Sequence, residues 1–494
     1  MITIPTIGWI FSIAVSLLFW AAACLLVLRL GHKGAGFGDI DFALAPAWDE
    51  LCGFFSKLLS EKKGLPINIK IIIFGLFIRA AVLVMSVVFL LLMGRSVSIS
   101  SLFNSFIHWD ANSYLVLADI GYRYIEDGRH LYVVFFPLYP YLIRLVSFPL
   151  RNLTASAYVV SFASYLAGLC YLYHLVRIDF DEATAWWAVV LISIFPHSIF
   201  FGAPHTESLY LLTTAATLYY IRKHKWLLAG IAGGLATATR MVGVMLIAAA
   251  AVEFVMHYEL FAQMRRGRWG RFFGLVFKKG VLILIMFTGI AVYLAINWRV
   301  TGDPLRFLQY QELNWNNGFQ YFGIAIRSHF NRILPHIGNW QNNSLLYIAL
   351  PNILGLGFTI WMITYASMGK KVKPIPDAPP PQRKPLRHRR SEYYARRGRP
   401  GSESKALTQD ATPETYVQRH NAAYIAYALG YTFVSFSMVW LLSGGRYAAA
   451  LVPSFIFLAD YVMKKPRRRV VVSLVFIGLL LPILRMYIIG GYVM

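Results

Sequence analysis

The sequence predicts an all-α polytopic membrane protein, with about 11–12 transmembrane helices and interfacial helices in the first outer loop. Three observations predict it. The chain is 57% hydrophobic and only 14% charged, where a soluble domain carries about 25% charged residues. Several windows longer than ~18 residues hold almost no charge, as a helix in hydrocarbon requires. The cations that make up the net charge of +24 are gathered in short blocks between apolar segments. These are Arg222 to Lys225, Arg265 to Arg268, Lys370 to Arg399 and Lys464 to Arg469. That distribution is the positive-inside pattern, and it argues against nucleic-acid binding. The same blocks suit contact with anionic lipid headgroups.

Taken in order, the predicted spans are 6–29, 70–93, 156–176, 184–202, 207–221, 227–238, 241–257, 281–298, 345–367, 422–442, 447–463 and 470–489. The first lacks a basic leader, so it reads as a retained helix with Arg29 and Lys33 at its inner end. The segments within 207–238 are short for full crossings. Placing Lys57, Lys62 and Lys63 inside makes the loops 222–225, 258–280, 369–420 and 464–469 all fall inside, and each is basic. The segments 94–155 and 299–344 then lie outside, rich in aromatics, Asn and Pro. Within the first, the apolar stretch after Phe135 to Pro140 is interrupted by Arg144, which predicts an amphipathic helix lying in the interface.

Four regions result: 1–69, an N-terminal helix and inner loop; 70–368, the main transmembrane module; 369–420, a basic, Pro-rich linker; and 421–494, the C-terminal helices. The linker has too few large apolar residues to offset the entropy of ordering, so disorder is expected there. Cys24, Cys52 and Cys170 are scattered, with no metal-ligand spacing and no disulfide framework.

Ionisable groups at membrane depth face protein or a water-filled cavity. The charge-based topology collects Asp110, Arg123, His205, Glu207, Arg240 and Arg446 at the outer face, from separate stretches of sequence. An acid beside several guanidinium groups and a His suits a reaction on an anionic substrate. The acid takes a proton, and the cations hold a phosphate. Each residue also has a structural alternative. Arg446 could snorkel to the interface, Arg240 could cap the helix ending near Thr239, and Glu207 could sit in a helix's first turn, where the dipole favours an anion. His197 and His205 could be packing residues. Gly230, Gly233 and Gly234 are expected to allow close helix packing rather than to cradle phosphate.

Several blocks together resemble the PIG-V family, the GPI mannosyltransferase II type of GT-C membrane glycosyltransferase. His108-Trp109-Asp110-Ala111, followed by Leu117-Ala118 and Gly121-Tyr122, is similar to that family's HWDA block. Phe135-Phe136-Pro137-Leu138-Tyr139-Pro140 is similar to its FFPxxP block. Phe195-Pro196-His197 through Phe200-Phe201, with Glu207-Ser208-Leu209, resembles its Pro, Phe-Phe, Ser-Glu-Ser-Leu element. Leu235 to Arg240 with Gly243, Trp315-Asn316-Asn317-Gly318-Phe319, and Arg446-Tyr447 complete the series in the family's order, over roughly 70–465. The N-terminal span and the 369–420 segment have no counterpart. Pro204-His205-Thr206 and Arg240-Met241-Val242-Gly243 depart from the family's usual residues.

The resemblance implies a GT-C-type fold and an inverting transfer of a sugar, mannose in the family, from a polyprenyl-phosphate donor to a glycan or glycolipid acceptor on the extracytoplasmic face. Asp110 is then the expected catalytic base. Arg446 and Arg240, followed by His205 and Arg123, are expected at the donor phosphate. His108, Trp109, Tyr114, Glu207, Trp315 and Asn316 are expected to contact the acceptor or shape the site. No cofactor and no metal are expected, because fixed cations can stabilise a leaving phosphate; activity in chelator follows. Transfer of glucose, galactose or a pentose stays open, since nothing in the motifs reads sugar stereochemistry. A transporter would need repeated halves or paired broken helices, which the sequence does not show. Membrane lipids are the surrounding partner. A prokaryotic plasma membrane is expected, with the endoplasmic reticulum as the alternative; the sequons at Asn152 and Asn342 do not decide between them.

Overall fold

A computed structural model describes residues 65–122, 131–315, 318, 320–333, 350–368, 413–437 and 443–491. The predicted span 6–29, Cys24, Cys52, Arg123, Asn316, Asn342 and residues 369–412 of the basic segment lie outside the described residues. Among the described residues the secondary structure is entirely helical.

The chain enters on α1 (Ile67–Leu92), a 26-residue apolar helix. The outer segment follows as three short helices, α2 (Ile99–Asn104), α3 (Asp110–Ile120) and α4 (Leu138–Leu150). As the sequence predicts, α4 is two-faced. Tyr139, Pro140 and Ile143 are buried, while Leu145 and Phe148 are exposed on the other side. Arg144 turns to the Asp119 carbonyl at 2.9 Å, tying α4 to the end of α3. Next, α5 (Leu153–Val176) begins at Asn152, whose side chain accepts from the Ala155 N–H at 2.9 Å. Helix α6 (Glu182–Ile194) is capped in the same way by Asp181. Such caps satisfy amide donors that the first turn leaves free.

Helix α6 stops well before the predicted end of its span at 202. Pro196 supplies no N–H, and it forces Phe195 to the extended φ −55°, ψ 145°. The chain then runs without regular helix, save the 3₁₀ turn Ser198–Phe200, to the start of α7 (Glu207–Arg222). Every residue from 195 to 206 is buried. Irregular backbone at membrane depth is tolerated only when protein covers it.

Helices α8 (Trp226–Thr239) and α9 (Leu246–His257) are joined by the extended Arg240 and the 3₁₀ turn Met241–Met245. The segment after α9 carries α10 (Leu260–Arg265) and α11 (Trp269–Lys278), continued through the 3₁₀ segment Gly280–Phe287 into α12 (Thr288–Thr301). The glycines of α8 pack as the sequence predicts. A Cβ on Gly230 would lie 2.5 Å from the Leu282 carbonyl oxygen, and one on Gly234 2.6 Å from Thr288 Oγ1. Small residues let two backbones approach this closely.

The outer helices α13 (Arg306–Trp315) and α14 (Phe322–Ile333) precede α15 (Leu350–Met368). Helix α16 (Pro413–Ser435) starts inside the segment read from sequence as linker. Pro413 fits a first helical position, where the missing N–H costs nothing. Helices α17 (Gly444–Ala450) and α18 (Val452–Met463) meet at a 74° bend, and α19 (Pro466–Ile488) returns across the membrane. Among the described residues, Ile67–Leu92, Leu153–Val176, Trp269–Thr301 and Pro466–Ile488 are each long and apolar enough to cross a bilayer, as is the bent pair α17–α18 taken as one span. The chain is thus an integral membrane protein. Among the described residues, which leave out the predicted span 6–29 and parts of 345–367 and 422–442, α6 to α9 are short and broken and are packed among their neighbours rather than forming straight crossings.

Candidate active site

Asp110, Arg240 and Arg446 meet around the carboxylate of Glu207. Glu207 opens α7 and is wholly buried. Its Oε1 accepts from Arg446 Nε at 2.8 Å and from Arg240 Nη2 at 2.8 Å, and Arg446 Nη2 lies 2.7 Å away. Arg446 Nη1 donates in turn to Asp110 Oδ2 at 3.1 Å. Two acids and two guanidinium groups therefore form a chain, Asp110–Arg446–Glu207–Arg240, drawn from four helices or helix ends. Charge assistance makes each of these bonds stronger than a neutral one.

The four differ in exposure. The Glu207 and Arg446 side chains are 0% and 3% exposed, whereas Arg240 is 16% and Asp110 29% exposed. Glu207 and Arg446 are thus the floor, and Asp110 and Arg240 stand on the accessible side. Arg240 Nη1, Arg446 Nη2 and Glu207 Oε2 are buried atoms without a hydrogen-bond partner among the described residues.

Local backbone explains each position. Asp110 is the first residue of α3, where the helix dipole favours an anion. Before it, Trp109 has φ 46°, ψ −116°, a region that non-glycine residues rarely visit. The strain is held by packing: Tyr487 of α19 sits 5.4 Å from Trp109 and 5.6 Å from His108 between ring centroids. The Tyr487 hydroxyl donates to the Phe106 carbonyl at 2.9 Å. Arg240 follows the end of α8, combining the cap position the sequence suggested with the ion pair. Arg446 lies over the Phe200 ring at 4.6 Å. Beside it, a Cβ on Gly445 would overlap the His197 ring, so glycine is needed there for close approach.

His205 is 0% exposed, against Phe200 at 5.1 Å and Tyr487 at 6.2 Å. Neither ring nitrogen of His205 has a hydrogen-bond partner among the described residues. Burial lowers the pKa of His108. Tyr114, one turn after Asp110, is buried at 5.2 Å from Phe135 and 5.1 Å from Tyr139. Burial, then the Asp110 charge, raise its hydroxyl, which stays protonated. Of the remaining predicted residues, Arg123 and Asn316 lie outside the described residues, as does the Trp315 side chain at the end of α13.

Sequence reasoning did not single out Arg79 or Tyr487. Arg79 had a signal, being a lone cation inside an apolar span. Tyr487 had none, because an aromatic near the end of a span is ordinary. Among the described residues no group of three or more His, Cys, Asp or Glu is arranged to hold a metal ion.

Residues 136–293 match the family described as dolichyl-phosphate-mannose-protein mannosyltransferase. No curated protein matches the chain. Among solved structures, the chain is similar to the archaeal oligosaccharyltransferase AglB from Archaeoglobus fulgidus in complex with an inhibitory peptide and a dolichol-phosphate. That likeness has 13% identity and a TM-score of 0.41, over 85% of this chain and 56% of that one. The apo form of the Archaeoglobus fulgidus oligosaccharyltransferase gives 13% identity and a TM-score of 0.40 over the same shares. The chain thus spans little more than half the length of these structures.

Proposed function

We propose that the chain is a membrane glycosyltransferase that moves a sugar, mannose in the first instance, from a polyprenyl-phosphate donor to a glycan or glycolipid hydroxyl on the extracytoplasmic face. The family match over 136–293 supports a glycosyltransferase of this broad kind. The order of the PIG-V-like blocks supports the finer reading. The observation that carries it is the chain of ion pairs in which Arg446 holds Asp110 by one oxygen only.

Asp110 Oδ1 has no protein hydrogen-bond partner among the described residues, and the side chain is the most exposed of the four. It is the base. The acceptor hydroxyl oxygen attacks the anomeric carbon, its proton passes to Asp110, and the bond from that carbon to the phosphate oxygen breaks. The configuration inverts, and the polyprenyl phosphate leaves with one more negative charge. Arg240 is the cation for that charge, since its side chain is partly exposed where that of Arg446 is buried. Sequence alone put Arg446 and Arg240 together at the phosphate. The burial of Arg446 between Glu207, Asp110 and Phe200 gives it instead the task of fixing the base and the floor.

The test is transfer from radiolabelled polyprenyl-phosphate sugars by the purified protein in detergent. Asp110→Asn is expected to lose about 10²–10⁴-fold in rate with an unchanged melting temperature. Wild-type turnover by that variant would remove Asp110 from the chemistry. Absence of transfer by the wild-type protein from every such donor would remove the proposed function.

A further inference from the structure

We infer that Arg79, at the middle of α1, is a positioning residue for the outer site: it holds from below the backbone on which Arg446 and Glu207 are seated. The assignment rests on the proposed function for its consequence in catalysis, but not for its structural part.

Arg79 is buried, 3% exposed, in a 26-residue apolar helix. A cation at that depth normally has a carboxylate partner or lines a polar pathway. Arg79 has no carboxylate in ion-pair range among the described residues. Its Nη1 donates to the carbonyls of Ser198 at 2.6 Å and Phe201 at 2.8 Å, and its Nη2 to that of Ser193 at 2.9 Å. The guanidinium lies 4.8 Å over the Tyr165 ring, and the Tyr165 hydroxyl donates to Ser193 Oγ at 2.8 Å. All three acceptors belong to the stretch where α6 ends and the chain runs irregularly to Glu207.

The Ser193 and Phe201 carbonyls are ones the broken helix does not satisfy itself, and the Ser198 carbonyl also accepts the Phe201 N–H at 3.0 Å. A planar fork of donors can bind several of them together; a Lys ammonium is a compact point on a flexible stem. The segment so fixed carries Phe200 beneath Arg446, His197 against Gly445, and His205. Gly202 completes it with φ +90°, its N–H donating to Ser208 Oγ at 2.8 Å one residue beyond Glu207. A shift of this segment therefore moves Phe200 and Glu207 together, and with them both guanidinium groups.

The experiment compares wild type, Arg79→Met and Arg79→Lys as full-length protein in detergent, by hydrogen exchange and by donor-dependent kinetics. Faster amide exchange across 195–206 is expected in Arg79→Met, with α5 unchanged. A fall in kcat of about tenfold or more is expected with little change in KM, and Arg79→Lys should lie between the two. A merely stabilising role would lower the melting temperature while leaving kcat per folded molecule at the wild-type value, and that result overturns the assignment. Unchanged exchange across 195–206 overturns it as well. If Arg79→Met does not fold, the same two readouts on Arg79→Lys decide. If the wild-type protein transfers no sugar, the proposed function falls while the exchange arm still decides what Arg79 holds.

Discussion

Glu207 holds two guanidinium groups through one oxygen, and Arg446 has Asp110 as its second acid. Neutralising Glu207 leaves Arg240 without a carboxylate partner among the described residues and leaves the buried Arg446 with the partly solvated Asp110 alone. Removing one partner of a buried ion pair costs about 3–5 kcal/mol, so Glu207→Gln is expected to melt many degrees lower and to lose transfer. Thermal unfolding in detergent checks the first part, and the loss should exceed any seen for Asp110→Asn, whose carboxylate is partly solvated.

At the scale of elements, the site depends on how closely α8 and α12 pack, since Arg240 follows α8 directly. Gly289 of α12 faces Gly234 of α8, and a Cβ on Gly289 would overlap the Gly234 carbonyl oxygen. The obstructing atom is backbone, so no side chain can swing aside. Gly289→Ala is expected to cost at least the ~1–3 kcal/mol of an overpacked core and to weaken transfer by displacing Arg240; a melting curve beside a rate measurement checks both. This packing was legible in the sequence, because small residues in an apolar helix have few other uses. So was Asp110, through its neighbours and its place outside a long apolar span. The ion-pair chain was legible only as a shared membrane level, since Arg446 lies 239 residues from Glu207 and 336 from Asp110. Which cation meets which acid depends on burial, and burial depends on packing that no local pattern encodes. For the same reason the different burial of Arg240 and Arg446 emerged only from the structure.

Across the whole molecule, α7 joins two charged centres of opposite purpose. Glu207 starts it at the outer site. Arg222 ends it on the side where the basic loops fall, about 22 Å away at ~1.5 Å per residue. There Arg222 pairs with Asp179 and donates to Glu253 Oε1 at 2.9 Å. Glu253 also meets His224 at 3.0 Å, and the Tyr424 hydroxyl donates to Asp179 Oδ2 at 3.1 Å. This inner cluster ties the loop before α6 to α7, α9 and α16, yet it contains no group near the proposed chemistry. Arg222→Met should therefore separate stability from catalysis. It leaves two buried carboxylates without their guanidinium, a loss of about 3–5 kcal/mol, while the outer ion pairs stay in place. The expected result is a clear drop in melting temperature with kcat per folded molecule close to wild type, the reverse of Asp110→Asn. A fall in kcat as large as that of Asp110→Asn at temperatures where Arg222→Met is fully folded would mean that α7 transmits strain between its ends, and the two centres would have to be treated as one cooperative unit.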